Sequence, residues 1–205
     1  LFNFLIYNKL KLRKWRKLSP EQRLNVYQQI ERIEAKKAKR RSYTLYAQDF
    51  DFNGLCRSRE RAIDLHVRFL QYPEKRFLGM ATLMHECRHA FQDHVVESTK
   101  KFRMFSRASR WKKNMQGYLD TYNSQKQSEF SFYEMQPIER DANRYAIKRL
   151  KRMWFRYRKE PDFHKTLKYR EDSYEEAEDK AIKRLGIFYK FRVAFRSWKK
   201  RNKRK

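Results

Sequence analysis

The sequence predicts a mixed α+β fold, mainly helical, in which a small sheet packs on one long helix. Three observations carry that reading. The 205 residues are 40% hydrophobic and 16% aromatic, yet include only four glycines and four prolines. Two short stretches alternate apolar and polar side chains, the period of a half-buried strand. Longer stretches repeat apolar residues every three to four positions, the period of a helix buried on one face. A chain of this size buries roughly 70% of its unfolded surface, enough for a real core. The aromatic content argues against disorder, and the scarcity of glycine and proline argues against collagen, propellers and loop-rich barrels. Apolar runs do not alternate regularly with helices, so a doubly wound parallel sheet is not expected.

The elements follow in order. Residues Pro20 to Lys39 read as a helix: Ser19 can cap it, Pro20 suits its first turn, and Gln22 stands where a capping box needs it. Leu24, Tyr27, Ile30 and Ile33 form its apolar stripe. Ser42 to Phe52 read as a strand, with Tyr43, Leu45 and Ala47 alternating against Thr44, Tyr46 and Gln48. Asn53-Gly54 marks a turn. Arg61 to Leu70 read as a second strand, with Ile63, Leu65, Val67 and Phe69 on one side. The period turns helical from Lys75 to about Val96. Ser98 to Ser109 carry mostly basic residues, and Trp111 to Asn123 read as a helix or a crossover. Gln125 to Phe132 read as a polar loop. Pro137 opens a helix to about Lys159, which Pro161 ends. Ser173 to Arg184 form a helix with acids first and bases after, as the helix dipole favours. Gly186 breaks it, and Ile187 to Lys200 are helical again before a disordered tail.

The charge balance restricts the partners. Lysine and arginine total 52 against 24 acids, a net charge of +28. Such a field attracts nucleic acid, anionic membrane surfaces and acidic proteins without choosing among them. Both ends interleave cations with apolar groups: Lys9, Lys11, Arg13, Lys14, Arg16 and Lys17 with Leu10, Leu12, Trp15 and Leu18, and Lys190, Arg192, Arg196, Lys199 and Lys200 with Phe191, Phe195 and Trp198. This pattern suits non-specific polyanion contact through the basic ends. No zinc-finger spacing, GxxG loop or P-loop supports sequence-specific recognition. No apolar run reaches transmembrane length. The apolar Leu1 to Tyr7 precede their basic residues, the reverse of a secretory signal. The chain opens on Leu1 rather than Met, as a piece of a longer or processed chain would. Two cysteines, Cys56 and Cys87, read as free thiols in a reducing, cytoplasmic setting.

The chemistry concentrates at His85-Glu86-Cys87-Arg88-His89, an HExxH motif. Residues four apart share a helix face. Two imidazoles placed so can bind one zinc ion, with the intervening glutamate as general base for metal-activated water. A catalytic zinc site needs a third protein ligand. The extended HExxHxxGxxH pattern is absent, since Gln92 and Val95 occupy its glycine and third histidine positions. Glu139, 50 residues past His89 and just inside the helix opened by Pro137, is the better ligand candidate. Glu134, before the proline, is a weaker one. Asn143, one turn past Glu139, is placed to hydrogen-bond the outer ring nitrogen of His85 or His89. Asp141 is chemically suited to the same task but falls on a different face. Tyr145, His94, His66 and His164 are candidates for a second donor at the developing oxyanion. Cys87 reads as a small buried thiol rather than a ligand.

Leu83 to Gln92 resemble the active helix of small gluzincin metallopeptidases, the minigluzincins and related metallopeptidase domains. Gln136 to Ala146 resemble their glutamate helix. The resemblance is sharp over those two helices, weaker across Ser42 to Met153, and absent at the basic ends. It implies a zinc-dependent endopeptidase acting on a peptide or protein, with His85, His89 and Glu139 as ligands and Glu86 as base. It further implies a small twisted sheet whose edge strand, Arg61 to Leu70, lies along the cleft and docks substrate. On this reading residues 42–160 form the metallopeptidase-like core, flanked by a basic N-terminal helical extension, 1–41, and a basic C-terminal helical extension and tail, 161–205. The competing reading is a non-catalytic basic protein that binds nucleic acid or a membrane surface on a degenerate metallopeptidase fold.

Overall fold

A computed structural model describes residues 2–98, 105–116 and 135–185. The sheet forms from β1 (Thr44–Gln48), β2 (Gly54–Arg57) and β3 (Ala62–His66) in the order β1-β3-β2. β3 pairs in parallel with β1 and antiparallel with β2. Leu45, Ile63 and Leu65 enter the core, with Ala47 and Cys56 packed against it. Asp64 points to the other face but is still buried, because β3 is the central strand. Arg57 donates to both Asp64 carboxylate oxygens, and Gln48 donates to Oδ1.

The predicted docking edge is therefore corrected. Arg61 to Leu70 do not form an edge strand. The strand ends at His66, and Arg68–Gln71 turn into a short helix, α4. The edge beside the long helix is β2, in the stretch read as a turn. Four residues containing a glycine and a cysteine carry too little alternation to announce a strand.

Helices surround the sheet. α1 (Phe2–Asn8) and α2 (Leu12–Trp15) lead into α3 (Pro20–Lys37), where Ser19 and Gln22 close the expected capping box. α5 (Arg76–Glu97) is the central helix. Gly79 lets α3 and α4 approach it: a Cβ there would lie 2.5 Å from the Tyr27 hydroxyl and 2.7 Å from Phe69 Cβ. The main core joins Tyr7, Leu10 and Trp15 to Tyr27, Ile63, Phe77, Met80 and Phe163. Leu10 and Trp15 thus face inward, and the aromatic of the N-terminal basic run is not free to stack on a base.

α6 (Phe105–Gln116) begins earlier than the sequence suggests, and buried Trp111 packs with Val95 and Ile138. α7 (Pro137–Arg152) stops short of the predicted Lys159. The chain breaks at Met153 and forms one further turn, α8 (Trp154–Tyr157), which places the Tyr157 ring against Phe77 and its hydroxyl on the Tyr7 carbonyl. α9 (Pro161–Leu185) starts twelve residues before Ser173. Pro161 opens this helix as well as ending the preceding segment, since proline suits a first helical turn. Buried Arg76 at the start of α5 binds Glu160 and Asp162, which fixes the start of α9. The readings of Gly186, Ile187 to Lys200, the tail, Glu134 and the Gln125 to Phe132 loop fall outside the described residues.

Candidate metal centre

α5 places His85 and His89 on one face, a turn apart, while α7 packs alongside and brings Glu139 to them. Glu139 lies in the first turn of α7, where the helix dipole favours a carboxylate. Asn114 of α6 fixes that turn by accepting from the Ile138 N–H and donating to Gln136. His85 Nε2 lies 3.1 Å from Glu139 Oε2, His89 Nε2 lies 3.3 Å from Oε1, and the two Nε2 atoms are 2.9 Å apart. One donor atom from each residue lies within 4.8 Å of the others.

The outer ring nitrogens explain why this cluster suits a cation. His85 Nδ1 is 2.9 Å from Asn143 Oδ1, and His89 Nδ1 is 2.9 Å from Gln92 Oε1. The Gln92 amide orientation is fixed because Nε2 donates to the Ile138 carbonyl and to Asp141. Its oxygen must then accept from His89, which keeps the proton on Nδ1 and turns the Nε2 lone pair inward. With Nδ1 of His85 likewise donating to Asn143, two lone pairs and a carboxylate converge, a donor set that zinc satisfies. Burial opposes the charged imidazole of His89, but Glu139, helped by Glu86, pushes it up to about 10. Burial also opposes ionisation of Glu139, and the two histidines outweigh it, holding this carboxyl well below the usual range.

Asp141 touches neither imidazole. It binds the Arg88 guanidinium and Gln92, one step further out than the sequence allowed. Glu86 is buried beside the cluster. Burial raises its pKa, Glu139 adds to the rise, and His85, His89 and Arg170 pull it back. Cys87 is buried and free, and Cys56 is free and half-buried. The suggested oxyanion donors are engaged elsewhere. Tyr145 donates to buried Glu34, His66 accepts from the Arg68 N–H and lies 3.9 Å from Asp49, and His164 bonds the Arg158 carbonyl. His94 sits half-buried in the last turn of α5.

Three residues at the site escaped the sequence reading. Gln92 drew notice only as a missing glycine. Gly54 brings β2 against α5: a Cβ there would lie 2.6 Å from Thr82 Cγ2 and 3.2 Å from Glu86 Oε1. Arg170 of α9 donates to Thr82 Oγ1 at 2.9 Å, and its charge reaches Glu86. Gln92 had a local signal, three residues past a ligand on the same helix. Arg170 lies 84 residues from Glu86, and no spacing rule connects them.

Comparison of the chain with protein-family models, curated proteins and solved structures found no match. The site itself defines the class. His85-Glu86-x-x-His89 on α5, with Glu139 clustered from α7, matches the gluzincin HExxH…E architecture, on a mainly helical fold with a three-stranded sheet against the motif helix. That arrangement supports zinc-metallopeptidase activity.

Proposed function

We propose that the protein is a zinc-dependent endopeptidase whose ion is held by His85, His89 and Glu139 and whose general base is Glu86. The convergence of those three donors within 4.8 Å, with the outer nitrogens of both histidines engaged, is the observation that carries this reading. Zinc, when bound, supplies a Lewis acid that acidifies water and draws charge from the scissile carbonyl. Glu86 accepts the proton of the attacking water and passes it to the leaving amine. Its raised pKa suits both halves of that transfer. Asn143 and Gln92 keep the two imidazoles in the metal-binding tautomer. Arg170 contributes positive charge beside Glu86.

The substrate is a peptide or protein, and β2 is the edge along which an extended chain would lie. The cationic surface steers acidic substrates and draws polyanions to the molecule. Among the described residues no helix is long and apolar enough to cross a membrane. Two free thiols suit a reducing compartment such as the cytoplasm.

Metal analysis of protein purified without a chelating tag tests the assignment. Wild type carries about one zinc per chain, and Glu139→Ala loses most of it. Glu86→Gln keeps the ion and loses roughly 10²- to 10⁴-fold in hydrolysis of a peptide library. Folded wild-type protein that takes up no zinc on reconstitution would eliminate the site, and full activity in Glu86→Gln would remove the base.

A further inference from the structure

The aromatic face formed by α1 and α8 is not used by the metal centre. The helical rise of 1.5 Å per residue puts Met153 about 20 Å along α7 from Glu139. Beyond that point Trp154 is 41% exposed and Phe155 79%, and on α1 Phe4 is 56% and Leu5 55% exposed. The two elements meet through Arg156, whose guanidinium lies 4.9 Å from the Phe4 ring centroid and whose Nη1 is 3.4 Å from the Phe4 carbonyl. Tyr157 donates to the Tyr7 carbonyl, which holds α8 against α1. Large apolar side chains held out of a folded surface mark an interaction site when they cluster.

The sequence on both sides of this face is rich in cations, and of those on α7 Arg144, Arg149 and Lys151 are paired with Glu178, Glu34 and Glu171. From Ala142 to Lys159 the sequence carries eight basic residues and no acid, and from Leu1 to Ser19 six basic residues and no acid. Lys9, Arg152, Arg158 and Lys159 are exposed. The next acids along the chain, Glu160 and Asp162, are bound by buried Arg76. We propose that Phe4, Leu5, Trp154 and Phe155, ringed by these cations, form a docking face for an anionic lipid bilayer. Basic groups bind the headgroups while aromatic and aliphatic side chains enter the interface. Leu5 and the outstanding Phe155 favour lipid over nucleic acid, because Leu5 offers no ring to stack on a base, whereas both gain by entering acyl chains.

This inference does not depend on the metal centre, and its test uses the full chain. Co-sedimentation is measured with vesicles of phosphatidylcholine mixed with phosphatidylglycerol, and with phosphatidylcholine alone. Wild type partitions onto the anionic vesicles and not onto the neutral ones. Phe155→Glu and Leu5→Glu each weaken partition by about tenfold, the effect of withdrawing one large apolar side chain and adding a repelled charge. Tyr72→Glu, which adds the same charge at another exposed aromatic, leaves partition close to wild type. Circular dichroism and thermal unfolding like that of wild type establish that the variants fold. Wild-type partition in both face variants, or an equal loss in Tyr72→Glu, would show that net charge alone drives the contact and overturn the proposal. So would a face variant that loses binding to a single-stranded oligonucleotide while keeping its vesicle partition.

Discussion

At the scale of single residues, the metal centre depends on side chains one step removed from the metal ligands. Gln92 is an amide with both ends committed, so its oxygen can only accept from His89. Gln92→Leu removes that acceptor and frees the ring to rotate or change tautomer. We expect zinc affinity to fall about 10- to 100-fold, read by competition with a chromophoric chelator. Gly54 acts through size. Gly54→Ala drives a methyl group into Thr82 Cγ2 and toward Glu86, and overpacking of this kind costs about 1–3 kcal/mol. Thr82→Ser removes Cγ2 yet keeps the oxygen that accepts from Arg170. The double variant Gly54→Ala/Thr82→Ser should therefore recover stability in urea unfolding. A purely additive loss would show that the two sites do not communicate through this contact.

At the scale of elements, α3 and α7 are joined by a buried charge. Glu34 of α3 accepts from Tyr145 and Arg149 of α7 and from Tyr7 of α1. Burial works against the charged form of Glu34, but Arg149, Tyr145 and Lys37 outweigh it and depress its pKa. A carboxylate depressed in the folded state adds stability above its unfolded pKa, and that stability is lost as pH falls through the folded value. Acid unfolding below about pH 4.5 should therefore be steeper in wild type than in Glu34→Gln. The variant itself should cost about 3–5 kcal/mol near neutrality, because it leaves Arg149 buried without its counter-charge. This joint was not legible in the sequence, where residues 34 and 149 are far apart and the stripe of α3 is read from Leu24, Tyr27, Ile30 and Ile33. What could be read was local: the Ser19–Gln22 capping box, the alternation of Leu45 and Ala47 with their polar neighbours, and the HExxH turn of α5. Two long-range pairings were within reach: Glu139 with the two histidines, because zinc chemistry itself demands a third ligand, and Asn143 with His85, because one helical turn puts Asn143 on the same face as Glu139. Missed elements lacked a period. β2 is four residues long, and the break at Met153 is imposed by the packing of Tyr157 rather than by glycine or proline.

At the scale of the molecule, one ion would tie the central helix to the glutamate helix. Ligands that bind only the folded state raise its stability by RT ln(1 + [L]/Kd), about 4 kcal/mol at a thousandfold excess over Kd. Thermal unfolding should shift upward with zinc and downward with a chelator in wild type, and neither shift should survive in Glu139→Ala. The surplus of 28 positive charges acts over the same distance scale. We expect kcat/KM for acidic peptides to fall steeply as salt rises past the Debye range, while neutral peptides change little.

The shortness of β2 has a kinetic consequence. In an antiparallel pair alternate residues turn their backbone groups away from the partner strand, so a four-residue edge can offer outward N–H and C=O groups from only two positions. At a net ~0.5–1.5 kcal/mol per hydrogen bond, a peptide laid there is held only weakly. Cleaved fragments, each keeping a part of those bonds, would leave quickly. On the proposed docking along β2, turnover would then be set by the bond-breaking step and by how often substrate arrives, and the local concentration of substrate would decide what is cut.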